Sequence, residues 1–291
     1  MATNQSTLIV TDSSCDLSPE LYEKYQITAL PLSITLDNKT YKDGVDMNPE
    51  MIFEHYLQYN TLPKTAAPSI YDFSEAYNSL TSKGYDLVFI GIGDKISSTY
   101  SNAYIAAKDF PNVYTIDSGN LSSGVGHLVL FAAELAMEGF SAKEIYERTK
   151  EKVPYVDASF VIEKLEFLHK GGRCSSVAFL SANALRIKPC IEVRVGSMGV
   201  GKKYRGSLSK CIETYIIDCL KDKDSIDPKR CFITHTIKDR AIIDSAFQII
   251  KKHFTFDEIL ETKAGSTIAS HCGEGTLGIL FFRKSPVNIF E

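Results

Sequence analysis

The 291-residue chain carries 32 Lys+Arg against 36 Asp+Glu, a formal net charge of −4, with a sequence pI of 5.9. That balance excludes a basic footprint for nucleic acid, and no apolar run nears the roughly 20 residues of a membrane span. A hydrophobic fraction of 44% and a charged fraction of 23% are ordinary for a folded globular protein, and the length prior allows about two domains.

The first stretch, MATNQSTLIVTDSS, lacks the charged region and long apolar core of a secretory signal. The expected location is therefore the cytoplasm, with no stable membrane span and transient membrane contact left open. Seven cysteines are scattered without a C-x-x-C pair. They read as reduced thiols packed as small apolar groups, and no clustered set suggests a metal site.

Thr7 to Val10 is a short apolar strand, and the polar run Thr11 to Asp16 follows it. Pro19 then opens a helix, Glu20 to Tyr25. Asp12 and Ser13 either face a ligand crevice or only organise this turn. Ile27 to Leu36 alternates around Pro31 and reads as an interrupted or edge strand. A turn at Asp37-Asn38-Lys39 leads to a partner strand from Thr40. A helix runs from Asn48 to about Gln58. Thr61 to Ser69 holds two prolines and leaves no room for regular structure. Ser69 caps the next helix, Ile70 to Leu80, which carries Phe73, Tyr77 and Leu80 on one face.

Tyr85 to Lys108 organises the first half. Leu87 to Ile90 is a buried strand, Gly91 and Gly93 follow, and the hydroxyls of Ser97, Ser98, Thr99 and Ser101 precede an alanine-rich helix. A loop from a parallel strand into a helix lies at the carboxyl edge of the sheet, where open α/β folds bind ligands. Helix-start N–H groups there favour an anion. The plainer alternative is that the hydroxyls only cap the helix.

Asn112 to Ile116 is a strand ending at Asp117. A small polar segment, Gly119 to Gly126, precedes a helix from His127 to Glu138. Ser141 to Val153 is a helix with a capping-box pattern, Ser141-x-x-Glu144. The alternation of strand, polar loop and helix predicts a parallel sheet with helices on both faces. The boundary falls after Pro154, giving domains 1–156 and 157–291.

The second half predicts a strand at Ala158 to Ile162, a segment from Lys164 to Lys170, a helix at Val177 to Leu185, and a strand at Ile187 to Val195 containing Pro189. A turn at Gly196 to Gly199 leads to an antiparallel partner from Lys202. A helix follows at Ser209 to Leu220. Next come a strand, Cys231 to His235, a helix, Asp239 to His253, and a strand, Phe256 to Thr262. A Gly-rich loop, His271 to Gly278, precedes a last strand, Ile279 to Arg283. This order predicts an α+β domain with a largely antiparallel sheet, so the whole is an α/β protein of two domains.

Polar residues in loops of both halves suggest a ligand held between them. They are Asp12, Ser13, Thr65, Ser97, Ser98, Thr99, Asp117, Arg173, Arg205 and His271. Arg173 is a cation on a flexible loop or a surface turn. His271 is a base, a head-group donor, or a structural histidine. Gly91-Ile92-Gly93 is too little for a dinucleotide site. A Ser97/His271/Asp12 triad can be written down, but no G-x-S-x-G supports it.

Several segments, taken in order, carry a resemblance. They are Thr11 to Leu17 (TDSSCDL), Lys64 to Ser69 (KTAAPS), Ile96 to Ser101 (ISSTYS), Asp117-Ser118, Leu165 to Ser175 (LEFLHKGGRCS), Lys188-Pro189, Arg205, and His271 to Gly275 (HCGEG). The chain resembles, over nearly its whole length, the DegV family of bacterial fatty-acid-binding proteins, whose better-understood members are acyl-carrying subunits of fatty acid kinase.

The resemblance implies one long-chain fatty acid in a closed apolar tunnel between the domains, with no other cofactor and no catalytic residue. It implies that Thr65 and Ser97, with Ser98 beside them, bind the carboxyl group, and that His271 sits next to it. Arg173 and Arg205 are similar to basic residues linked with kinase docking or acyl phosphate handling. The partner it implies is a separate ATP-dependent kinase subunit that phosphorylates the presented carboxylate. Against the family's pattern, Ala66-Ala67 replace the usual Ser-Gln, Ser98 replaces a glycine, and Glu274 replaces a proline. The rival readings are a stand-alone serine hydrolase or acyltransferase using Ser97, and a sensor for a small polar anion.

Overall fold

A computed structural model of the chain describes residues 7–173 and 187–287. Four parallel strands form the first sheet, in the order β2-β1-β6-β7: β1 Thr7–Asp12, β2 Thr28–Leu30, β6 Asp86–Gly91 and β7 Val113–Asp117. The period of two along a strand splits its side chains between two layers. Ile9, Val88, Ile90 and Ile116 face α5 (Ser123–Met137) and α6 (Ala142–Lys152). Val10, Leu87, Phe89 and Val113 face α3 (Ile70–Thr81) and α4 (Thr99–Ala107). Both faces of the sheet are covered, which is why β6 reads as a continuous apolar run.

A second sheet of six strands has the order β10-β9-β8-β13-β11-β12. Its strands are β8 Val156–Val161, β9 Ile187–Arg194, β10 Ser197–Arg205, β11 Ile226–His235, β12 Glu258–Lys263 and β13 Leu277–Arg283. All neighbours are antiparallel except β11 and β12. One face packs on α8 (Leu208–Cys219) and α9 (Arg240–His253) through Val161, Ile233, Ile279 and Phe281. The other face, with Ala158, Phe160, Phe232 and Leu280, joins the same apolar cluster that α5 shares with the first sheet.

α5 thus lies between the two sheets, as its nearly unbroken Leu128-Val129-Leu130 stretch requires. It also carries polar ties to the second sheet. His127 Nε2 donates to the Leu280 carbonyl at 2.9 Å, and Ser123 Oγ lies 2.5 Å from Thr234 Oγ1.

A third, small sheet has the order β4-β3-β5. It joins β3 Ser33–Leu36 and β4 Lys39–Lys42 to β5 Lys64–Ala66. The segment around Thr65, expected to be irregular, is therefore a short strand, paired Thr65 to Ile34. Its prolines, Pro63 and Pro68, flank the paired residues instead of interrupting them. The remaining helices are α1 Pro19–Lys24, α2 Pro49–Tyr59, α7 Leu165–Gly171 and α10 Ser266–Cys272.

Three further expectations are corrected. α5 begins at Ser123, ahead of His127, because Gly124 and Gly126 are tolerated where the helix packs closely. The β9–β10 turn is the pair Val195-Gly196, both at positive φ, so β10 starts at Ser197. His271 lies in the last turn of α10, not in the glycine loop after it. Pro189 stands in an interior strand, and the partner accommodates it with a register shift between Val200 and Lys203. The helix expected at Val177 to Leu185 falls outside the described residues.

Candidate functional site

A cavity of about 300 Å³ lies where these layers meet. Its apolar wall comes from both halves of the chain: Leu32, Ile92 and Leu121 from the first, and Phe160, Met198 and Ile268 from the second. A smaller space of about 20 Å³ shares Leu121, Phe160, Ile268 and Cys272 with it and reaches Thr234 and Gly278 on the six-stranded sheet.

The polar wall is built by three short elements. β5 brings Thr65. The turn after β6 brings Ser97 and Ser98. α10 brings Thr267 and His271, one helical turn apart. His271 Nε2 stands 2.9 Å from Thr65 Oγ1, a contact joining residues 206 positions apart. Nδ1 of His271 is buried with no hydrogen-bond partner among the described residues. It packs against Gly171, where an added Cβ would come within 2.3 Å of it, so that close approach requires glycine.

Burial, and then the charge of Arg173, push the His271 imidazole down to about 4. It is neutral at pH 7, so it can donate or accept one hydrogen bond without bringing charge. Arg173 lines the cavity yet is exposed, with Nη1 donating to the Gly171 carbonyl at 2.6 Å.

Ser97 is held locally. Its Oγ lies 2.8 Å from Thr99 Oγ1 and accepts from the Thr99 N–H at 3.3 Å. Ser98 is the N-cap of α4, but its side chain makes no capping hydrogen bond, which leaves it to the cavity.

The structure brings Thr65, Ser97, Ser98, Arg173 and His271 around one space. It does not bring Asp12, Ser13, Asp117 or Arg205 there. Asp12 is fully buried and occupied by turns, accepting from the N–H groups of Ser14 and Ile92 at 3.0 and 2.8 Å. The Ser13 hydroxyl donates to Asp43 at 2.9 Å. Asp117 accepts from the Gly119 and Asp94 N–H groups at 2.9 and 3.1 Å. Arg205 is exposed at the end of β10, opposite Ile187. The paper triad is not assembled: His271 Nε2 meets Thr65, Ser97 meets Thr99, and Asp12 meets backbone.

Thr267 was missed by sequence reasoning. It is 4% exposed, lines the cavity, and its hydroxyl has no partner among the described residues. Its four-residue spacing before His271 is the signal that would have found it, had that stretch been read as helix. Among the described residues no group of three or more His, Cys, Asp or Glu is placed to hold a metal ion. No helix there is long and apolar enough to cross a membrane.

A family model described as an uncharacterised protein of the DegV family matches residues 6–284. A DegV domain-containing protein of Clostridium acetobutylicum is 33% identical over 279 residues, covering 95% of this chain and 98% of the relative. Another from Caldanaerobacter subterraneus is 33% identical over 281 residues, with the same coverage, 95% and 98%. Among solved structures, a DegV family protein of Thermus thermophilus, described for its fatty acid binding, superposes with a TM-score of 0.88 at 26% identity, covering 96% and 99% of the two chains. DegV of Bacillus subtilis, a fatty acid binding protein, gives a TM-score of 0.83 at 28% identity, covering 96% and 100%.

Proposed function

This chain belongs to the DegV family, and from that premise we propose that it binds one long-chain fatty acid in the cavity between its sheets. The observation that carries the reading is the division of one cavity into an apolar body and a polar wall of hydroxyls and a neutral imidazole.

An acyl chain of about 16 carbons is worth up to roughly 12 kcal/mol when buried, at about 0.8 kcal/mol per CH₂. Ordering the ligand takes back a large share. The head group must still find partners, because a bare buried carboxylate costs several kcal/mol. Thr65, Ser97, Ser98, Thr267 and His271 offer hydrogen bonds, and Arg173 offers charge at the exposed end.

The second part of the reading is presentation of that carboxylate to a separate ATP-dependent kinase, with the acyl phosphate carried away. Its support is the position of Arg173, which touches both cavity and surface, beside the resemblance that named it. Arg205, exposed and outside the cavity, is assigned to docking the kinase. The domains 1–156 and 157–291 are the two lobes that enclose the ligand, and the cytoplasm is the compartment where the kinase acts.

Native mass spectrometry of protein purified without detergent tests the first part. A fatty acid should ride with the folded chain, and thoroughly delipidated protein should take one up in a direct binding assay. Failure to take up any fatty acid would remove the reading. For the second part, Arg205→Ala should slow kinase-dependent phosphorylation while lipid binding persists. Equal loss of both would place Arg205 elsewhere.

A further inference from the structure

Thr267, Ile268, His271 and Cys272 all line the cavity from α10, so this helix decides where two of the head-group partners, Thr267 and His271, stand. It spans only seven residues, too short to hold itself by intrinsic propensity. Its N-cap is Gly265, which has no side chain to satisfy the first free N–H groups.

Two carboxylates from the first half of the chain supply what Gly265 lacks. Asp16 Oδ1 accepts from the Gly265 N–H at 2.8 Å, and Asp43 Oδ1 accepts from the Ser266 N–H at 2.9 Å. Each second oxygen is also held. Asp43 Oδ2 accepts from the Ser13 hydroxyl at 2.9 Å, and Asp16 Oδ2 accepts from the Ser122 hydroxyl.

Both aspartates are nine-tenths buried or more, at 5% and 3% exposure. Asp16 sits at φ 53° and ψ 28°, a left-handed backbone that aspartate is one of the few side-chain-bearing residues to adopt, and its partner Ser122 sits at φ 53° and ψ −143°, a region held only where the surroundings fix it. Gly265 completes the fit: a Cβ there would lie 3.0 Å from Asp16 Oδ1 and 3.5 Å from Asp43 Oδ1. Asp12, another buried acid nearby, spends its oxygens on the N–H groups of Ser14 and Ile92 instead of on α10.

We propose that Asp16 and Asp43 are positioning residues for head-group recognition, fixing from the first half of the chain the helix of the second half that carries Thr267 and His271. Neither lines the cavity, so they act through α10. The inference rests on the fatty acid reading above.

The test compares delipidated wild-type protein, Asp43→Ala, Asp43→Asn and Ser13→Ala, each titrated with hexadecanoic acid and with methyl hexadecanoate. The ester keeps the chain and removes the anionic head. Asp43→Ala should shrink the acid-over-ester preference about tenfold, the scale of a lost hydrogen bond to a charged group, with ester affinity kept. Asp43→Asn keeps an oxygen for the Ser266 N–H and should restore most of the preference.

Ser13→Ala removes the tether of Asp43 together with the acceptor of the Leu32 N–H at 3.0 Å, and because Leu32 is on the apolar wall, any effect of that second loss falls on acid and ester alike. The variant should give a smaller loss in the same direction, and it stands in if Asp43→Ala does not fold. Equal losses for acid and ester, or an unchanged preference in both Asp43→Ala and Ser13→Ala, would overturn the proposal. Wild-type protein that binds neither probe would remove the fatty acid reading itself, and this inference with it.

Discussion

Single side chains at the cavity are placed against their own comfort. Thr267 buries a hydroxyl that finds no hydrogen bond among the described residues, which costs stability in the unliganded protein. Thr267→Val should therefore raise the unfolding free energy of delipidated protein by about 1 kcal/mol while weakening fatty acid binding. Denaturant melts and a binding titration on the same sample read both signs. Thr65→Ala and Ser97→Ala should each weaken head-group binding by about 1–2 kcal/mol; unchanged affinity in both would move the pocket elsewhere.

The histidines add a pH dependence. Burial pushes His271 down to about 4 and His127 down to about 3, both below their ordinary value near 6.5 in the unfolded chain. Between those values the unfolded chain takes up the proton first. The stability each neutral ring contributes is therefore complete above about 6.5 and is lost as pH falls toward the folded value, by up to about 1.4 kcal/mol per pH unit. Burial pushes Asp12 and Asp16 the other way, so the net curve mixes opposite slopes. The difference between His127→Gln and wild type isolates one ring: urea melts at pH 6.5 and pH 4.5 should show a flatter loss in the variant. Parallel curves would mean that His127 does not titrate as placed.

At the scale of elements, α7 and α10 work as a pair, because the imidazole of one sits on the last residue of the other. Gly171→Ala would put a methyl group 2.3 Å from His271 Nδ1, closer than any real contact. The ring must then turn away from Thr65. Fatty acid affinity should fall by about tenfold, as for other lost head-group contacts, while α7, which ends at Gly171, gains less than the roughly 1 kcal/mol of helix propensity that the change gives in a helix interior. Binding and melting measured together separate the two; unchanged binding would show that the ring adapts in place.

β5 shows how a tertiary partner overrides local composition. Two prolines around Thr65 argue for a coil, yet their missing N–H groups fall outside the paired residues, and β3 supplies the ladder.

At the scale of the whole molecule, α5 is packed by both sheets and tied to the second one by His127 and Ser123. A fatty acid held in the cavity, whose lining includes Leu121 just ahead of this helix, would touch both halves of the chain and bind only the folded state. At a free concentration about 100 times its Kd, a fatty acid should add about 2.7 kcal/mol. That corresponds to roughly 4–5 °C in Tm for a chain of 291 residues, read by calorimetry of delipidated protein with and without ligand. A Tm that ignores the fatty acid would place its binding outside this interface.

The sequence by itself determined the periodic elements: the buried parallel strands, the capped helices α3 and α6, and where along the second half most of the strands fall. These follow from local rules of burial period and capping chemistry, which need no knowledge of neighbours. It also supplied the hydroxyls of Thr65 and Ser97 and the imidazole of His271 as candidates, through loops beside helix starts and through the resemblance. Only the tertiary structure decided that Asp12, Ser13 and Asp117 spend their polar atoms on turns and buried ties, that Thr267 joins His271 on a helix, and that Asp16 and Asp43 cap that helix across the fold. A carboxylate's role depends on which N–H reaches it first, and that is settled by contacts between residues up to 249 positions apart, which no local pattern records.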